Sequence, residues 1–233
     1  MQSGLGLRAV FFDLDGTLVH TAPELGSALN QMLRDIGLPL VDEALATTWI
    51  GHGTRELAVR SIAQATGAGL DRVRQDERLP QALARFDHHY QAGLGTRSVL
   101  YPGVRETLTA LRERGCRMAV VTNKESRYTD RLMEALDLRS FFERVVSGDT
   151  FPTRKPDPAG VLACLEAWRI DPRQGLFVGD SAIDAQTARR AGLPVFLLTY
   201  GYNMGRDVRE SQPDRVLDHF AEILQVLGLP ARP

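Results

Sequence analysis

Residues 8–19 read Arg-Ala-Val-Phe-Phe-Asp-Leu-Asp-Gly-Thr-Leu-Val, and the fold follows from how this stretch is read. The run 8–12 is short, apolar and unbroken through two phenylalanines, the pattern of a buried strand. It stops at Asp13-Leu14-Asp15-Gly16, a polar turn whose glycine opens backbone angles closed to other residues. Four later runs repeat the arrangement. Residues 118–121 end at Thr122-Asn123-Lys124, and 144–146 precede Ser147-Gly148-Asp149. Residues 176–178 end at Gly179-Asp180-Ser181, and 194–200 end at Gly201-Tyr202-Asn203. Between them lie helical spacings: Val104, Leu108 and Leu111 before a Gly115 stop, then Tyr128, Leu132 and Leu136. A further helix is capped by Ser181 and stopped by Gly192. Strands alternating with helices predict an α/β fold with a parallel sheet and right-handed crossovers. Functional groups in such sheets gather at the carboxyl ends of the strands, where each of these polar turns falls.

Residues 21–100 break the alternation. Leu25, Leu29, Met32 and Ile36 make one amphipathic helix ended by Gly37. Leu57 and Ile62 belong to a second, and Leu79, Leu83, Phe86 and Tyr90 to a third. No strand is expected there. The expected organisation is therefore a core of residues 1–20 and 101–233 with a helical domain, 21–100, inserted after the first strand. Tyr101-Pro102-Gly103 marks the return to the core.

Composition narrows the partners. The formal charge of −1 gives no basic excess for nucleic acid or an anionic membrane surface. No apolar run approaches the roughly 20 residues of a membrane helix, and the N-terminal stretch, broken by Asp13 and Asp15, does not read as a signal peptide. Cys116 and Cys164 lie far apart in apolar segments, the placement of buried thiols in a reducing compartment. A cytoplasmic protein, monomer or homodimer, is expected.

Four groups of residues carry chemistry. Asp13 and Asp15 flank one residue in a tight turn, so two carboxylates in different environments can serve as nucleophile and as proton donor. A calcium-type loop or a plain capped turn reads equally well there. Asp180 and Asp184 lie one helical turn apart and suit Mg²⁺, a hard ion that takes one or two carboxylates; they also suit a helix start, as cap and as first-turn acid. Thr122 and Asn123 offer hydroxyl, amide and N–H groups to phosphoryl oxygens, or simply cap a helix. Lys155, between Arg154 and Pro156, adds a cation on a stiffened loop. His88, His89 and His219 read as surface positions.

In this order and at these strand ends the residues resemble the haloacid dehalogenase superfamily over nearly the whole chain. Asp13-Leu14-Asp15-Gly16-Thr17 looks like its first motif, Val121-Thr122-Asn123-Lys124 its second, Lys155-Pro156-Asp157-Pro158 its third, and Gly179-Asp180 with Asp184 its fourth. The resemblance implies a Rossmann-like core with an inserted α-helical cap. It also implies a Mg²⁺-dependent phosphomonoester hydrolase acting on a small phosphorylated metabolite. In that scheme Asp13 attacks phosphorus, and Asp15 protonates the leaving group. Asp13, the Asp15 carbonyl and Asp180 bind Mg²⁺, and Asp184 orients Asp180 or a metal-bound water. Thr122, Asn123 and Lys155 hold the phosphoryl group.

Within the superfamily, three stretches resemble the bacterial phosphoglycolate phosphatase branch: Trp49 to Gly53, Ser147 to Thr150, and Thr199 to Asn203. That implies 2-phosphoglycolate as substrate. His20 and Glu24 depart from the branch, where aspartate is common at both positions. So does Ser181-Ala182-Ile183, where an Arg-Asn pair is frequent. The substrate's carboxylate needs its own reader, and Gly51-His52-Gly53-Thr54-Arg55 offers helix-start N–H groups and a guanidinium. Alternatively, Thr54 caps the helix and Arg55 points to solvent. Rival readings are another sugar-phosphate or pyrophosphate phosphatase, and a β-phosphoglucomutase-like phosphomutase with the same core residues. A receiver-like signalling module or a dehalogenase would lack Asp15.

Overall fold

Ala9–Phe12 forms strand β1, and all four residues are fully buried. The computed structural model describes residues 6–228, so the ends of the expected core, 1–5 and 229–233, lie outside it. Two short strands, β2 (Val19–His20) and β3 (Val99–Leu100), pair antiparallel with each other. Then come β4 (Arg117–Val121), β5 (Arg144–Val146), β6 (Gly175–Gly179), β7 (Val195–Leu198) and β8 (Arg215–Leu217). The main sheet runs β5-β4-β1-β6-β7-β8 with every neighbouring pair parallel.

Because strand side chains alternate between faces, β1 and β4 divide into two sets. Val10, Phe12, Met118 and Val120 pack with α6 (Val104–Glu113), α7 (Ser126–Ala135) and α10 (Glu222–Val226). Ala9, Phe11, Ala119 and Val121 pack with α8 (Ala159–Trp168) and α9 (Ala182–Ala191). The result is a three-layer α/β/α core. Ser181 caps α9 through a reciprocal capping box with Asp184, and Gly192 ends it in the left-handed region.

Between β2 and β3 lie five helices: α1 (Ala22–Asp35), α2 (Glu43–Thr47), α3 (Thr54–Thr66), α4 (Leu70–Arg74) and α5 (Leu79–Gly93). Leu25, Leu29 and Met32 of α1 and Phe86 and Tyr90 of α5 belong to the same apolar cluster as the β1 face. The insert thus shares its core with the sheet. The expectation of no strand in this stretch fails at Val99 and Leu100, which close a two-residue ladder too short to show periodicity. No helix among the described residues is long and apolar enough to cross a membrane.

The two connections to the insert are tied together by a buried carboxylate. Glu24 accepts hydrogen bonds from the backbone N–H groups of Arg97 and Ser98 (2.7 and 2.9 Å) and from the Ser98 hydroxyl (2.7 Å). On the other side, the Tyr202 hydroxyl accepts from the N–H groups of Thr21 and Ala22, both at 3.0 Å, and contacts His20 Nδ1 at 2.9 Å. Two of the departures from the branch pattern, His20 and Glu24, are therefore built into the junction.

Glu24→Ala strands these donors and should cost about 2–4 kcal/mol. For a chain of this length that lowers the melting temperature by about 5–15 °C in calorimetry. A drop under about 2 °C would show that the junction does not depend on this carboxylate.

Candidate active site

Asp13, Thr122 and Asp180 are the first residues beyond β1, β4 and β6, three adjacent strands at the centre of the sheet. Phe12 pairs with Val120 and Val178, so Thr122 and Asp180 stand one residue further along than Asp13, and all three leave the sheet at its carboxyl end. The Asp13 N–H donates to the Val178 carbonyl at 3.0 Å, and the Thr122 N–H to that of Val146 at 2.9 Å. Past Asp13 the chain folds back at once: the Leu18 and Val19 N–H groups both donate to the Leu14 carbonyl at 3.0 Å. Gly16 sits in this turn with φ +85°, and a Cβ there would collide with the Asp180 carboxylate and the Tyr202 ring.

The cluster is dense in charge. Lys155 Nζ lies 2.8 Å from Asp13 Oδ1 and 2.7 Å from Asp184 Oδ1. Asp13 Oδ1 is buried against this ammonium. Asp180 accepts from the Thr17 hydroxyl at 2.6 Å and from the Tyr202 N–H. Three buried carboxylates, Asp13, Asp180 and Asp184, thus face a single buried ammonium, Lys155. Two negative charges remain uncompensated, and the titration behaviour reflects it. Burial pushes Asp13 up to about 6; Lys155 pulls it down, and repulsion from Asp184 adds to the rise. Burial, then repulsion from Asp184 and Asp13, raises Asp180 well above the usual carboxylate range. Burial works against the charge on Lys155, but the Asp13 and Asp184 carboxylates outweigh it and raise the lysine.

One divalent cation would balance this excess. Asp13, Asp180 and Asp184 each offer an oxygen, all within 4.8 Å of one another. Asp184 has little capacity left. Its Oδ2 accepts from the N–H groups of Asp180 and Ser181 and from the Ser181 hydroxyl, and its Oδ1 holds Lys155. The free lone pairs are on Asp13 and Asp180. The Asp15 carbonyl accepts no hydrogen bond among the described residues. An all-oxygen set of this kind suits a hard divalent ion.

Asp15 is engaged elsewhere. Both its oxygens take hydrogen bonds from Lys124 Nζ, at 3.0 and 3.1 Å, and Lys124 also donates to the Tyr90 hydroxyl of α5. Burial opposes the charge on Lys124, and Asp15 together with Tyr90 reverses that and raises it. Asn123 donates both side-chain amide hydrogens to carbonyls, of Gly51 and Lys155, each at 3.1 Å, which leaves its side chain unavailable for phosphoryl oxygens. Backbone donors are free instead: the N–H groups of Leu14, Asp15 and Asn123 make no hydrogen bond among the described residues.

The insert roofs this cluster with Leu25, Ile50, Gly51, Gly53, Thr54 and Leu57, over a cavity of about 30 Å³. That is room for about two waters. Gly53 is the N-cap of α3, and the Thr54 hydroxyl, instead of capping, donates to Glu125 at 2.8 Å. His52 and Arg55 are exposed and do not line the cavity; His52 Nε2 lies 3.2 Å from Met204 Sδ. The expectation that Arg55 reads a substrate group therefore loses its geometric basis. Lys124, Thr17 and Tyr202 are the site residues that sequence reasoning left without a role. For Lys124 the signal was available: a lysine in the turn after a strand whose last four residues are buried.

Parallel sheet, acidic strand ends, a buried lysine and a helical insert define a hydrolase of one class. Residues 10–198 match the haloacid dehalogenase-like hydrolase family, and the chain belongs to it. It is 41% identical over 227 residues to a phosphoglycolate phosphatase of Nitrosospira multiformis, covering 97% of this chain and 98% of that one. A phosphoglycolate phosphatase of Pseudomonas putida is 40% identical over 225 residues, covering 96% of this chain and 81% of its own. A crystal structure of a predicted phosphoglycolate phosphatase from Haemophilus somnus superposes with a TM-score of 0.88 at 36% identity, covering 94% of this chain and 97% of that one.

Divalent cation should raise the melting temperature, by an amount worth about 2.7 kcal/mol at a hundredfold excess over Kd. Because Asp13 titrates near 6, protons compete with the metal, so the rise should be larger at pH 7.5 than at pH 5. Asp180→Asn should abolish it. An equal rise at both pH values, or in the variant, would place the ion elsewhere.

Proposed function

We propose that this chain is a Mg²⁺-dependent phosphatase that hydrolyses 2-phosphoglycolate to glycolate and phosphate through an aspartyl-phosphate on Asp13. The observation that carries the reading is the cluster of three buried carboxylates, Asp13, Asp180 and Asp184, around the single ammonium of Lys155. The similarity to phosphoglycolate phosphatases supplies the substrate. Bound at Asp13, Asp180 and the Asp15 carbonyl, Mg²⁺ supplies positive charge that offsets repulsion between carboxylate and phosphate.

Asp13 attacks phosphorus in line as the ester oxygen departs. Lys155, the Thr122 hydroxyl and the free N–H groups of Leu14, Asp15 and Asn123 hold the transferring oxygens. A loose transition state of this kind gains mainly from positioning and charge. Asp15 carries the proton, giving it to the leaving alkoxide and taking one from the water that cleaves the acyl phosphate. Asp184 acts from behind, fixing Lys155 and the Asp180 backbone. Residues 21–100 act as a cap over a core of 1–20 and 101–233. The cavity is too small for substrate, so the cap must move to admit it.

Lys124 is the cation we assign to the substrate carboxylate. It is the one cavity-lining cation not bound to the Asp13 and Asp184 pair. A carboxylate that takes over Lys124 releases Asp15 for proton transfer, which couples recognition to chemistry.

Asp13→Asn should abolish phosphate release, and Asp15→Asn should slow it by about 10²–10⁴ in steady-state assays. Net phosphate release from 2-phosphoglycolate with no bisphosphate present separates hydrolysis from mutase action. Lys124→Met should lower kcat/KM for 2-phosphoglycolate by about tenfold or more, the scale of a charged hydrogen bond, and far less for an aryl phosphate. Equal losses on both substrates would remove Lys124 from recognition.

A further inference from the structure

A second and larger cavity, of about 510 Å³, lies inside the helical insert and shares no residue with the active-site lining. This is the size of a small-molecule site, whereas the space over Asp13 holds only about two waters. Its floor is apolar: Ile36 and Leu38 beyond α1, Ile62 of α3, Val73 of α4, and Leu79 and Ala82 of α5. The floor falls at a seam in the packing. Val59, Val73 and Leu79 form a cluster separate from the main core, with Ile62 and Leu83 touching both.

The rim is charged, and the charges do not cancel. Arg72, Arg78 and Arg85 face Asp35 and Asp76. Arg78 is spent on Asp76, with Nε to Oδ1 at 3.0 Å and Nη2 to Oδ2 at 2.8 Å. Asp35 is spent on His89 Nε2 at 2.7 Å. Arg72 and Arg85 are exposed and make no hydrogen bond or ion pair among the described residues. Arg85 acts on Asp35 and Arg72 on Asp76 through charge alone, so the five-donor forks of both guanidinium groups are unspent beside the apolar floor.

We propose that this cavity binds a small organic anion: an apolar or aromatic body seated on the floor, with a carboxylate, phosphate or sulfonate held by Arg72 and Arg85. The apolar body distinguishes this ligand from the reacting ester, whose recognition needs charge alone. The aliphatic side chains gain from covering the body, and the arginines match an oxyanion bidentately.

The test uses the full chain and 8-anilinonaphthalene-1-sulfonate, an aromatic body with one sulfonate, followed by fluorescence titration. One equivalent should bind saturably to the unaltered protein. Arg72→Gln combined with Arg85→Gln should weaken binding at least tenfold, while the uncharged N-phenyl-1-naphthylamine binds both proteins alike. Ala68→Trp, which fills the cavity from its edge, should abolish binding of both dyes. Phosphate release from an aryl phosphate should be unchanged in these variants, which shows that they fold; should the tryptophan variant misfold, the arginine pair carries the test. Absent binding, binding of many equivalents, or equal affinity in the arginine variant overturns the proposal. So does dye binding that falls with rising protein concentration alongside a larger sedimentation coefficient, since a second copy of the chain would then cover the cavity.

Discussion

Excess negative charge, held out of water at the ends of two adjacent strands and the start of the helix that follows one of them, is the constraint on which the rest of the structure depends. Asp13, Asp180 and Asp184 share one ammonium, that of Lys155. Burying an uncompensated carboxylate is costly, so the fold must hold the cluster together from outside. It does so with backbone. The start of α9 gives two N–H groups and a hydroxyl to Asp184, and the Tyr202 N–H and the Thr17 hydroxyl restrain Asp180. A helix start favours negative charge there as well. Gly16 and Gly201 are small for the same reason: a Cβ on either would strike Asp180.

The helical insert is joined to this cluster through one short loop. Residues 123–125, just past β4, make three separate bridges to it: Asn123 to the Gly51 carbonyl, Lys124 to Tyr90, and Glu125 to Thr54. The same loop supplies Thr122 to the cavity. On the opposite side Tyr202 touches Asp180 through its N–H and the insert junction through its hydroxyl. Any movement of the insert is therefore felt at Asp15 through Lys124 and at Asp180 through Tyr202. This is a mechanical link between access and chemistry, carried by side chains that lie between the two parts.

Much of this was legible in the sequence because strand ends announce themselves. Apolar runs of three to seven residues, each broken by a polar turn, located five of the six strands of the main sheet, and Ser181 and Gly192 bracketed α9 as its caps require. β8 escaped because only Leu217 of its three residues is buried, which leaves no pattern to read. The acidic residues were found by type and position, as two pairs, Asp13 with Asp15 and Asp180 with Asp184, each beginning just past a strand end. What could not be read was partnership. Asn123 spends its amide on backbone carbonyls, Thr54 reaches Glu125 rather than its own helix, and Arg55 faces solvent. Each depends on which side of a helix or loop meets the core, and spacing alone does not determine that. Lys124 was overlooked because a lysine is ordinarily a solvated charge; here its side chain is 1% exposed.

The central claim is that Asp13 receives the phosphoryl group. Rapid acid quench of the enzyme during turnover of ³²P-labelled 2-phosphoglycolate, followed by peptide mapping at low pH, tests it directly. Label is predicted on the peptide carrying Asp13 and nowhere else, with none in Asp13→Asn. A protein that turns over without acquiring label, or that carries it on another residue, contradicts the account.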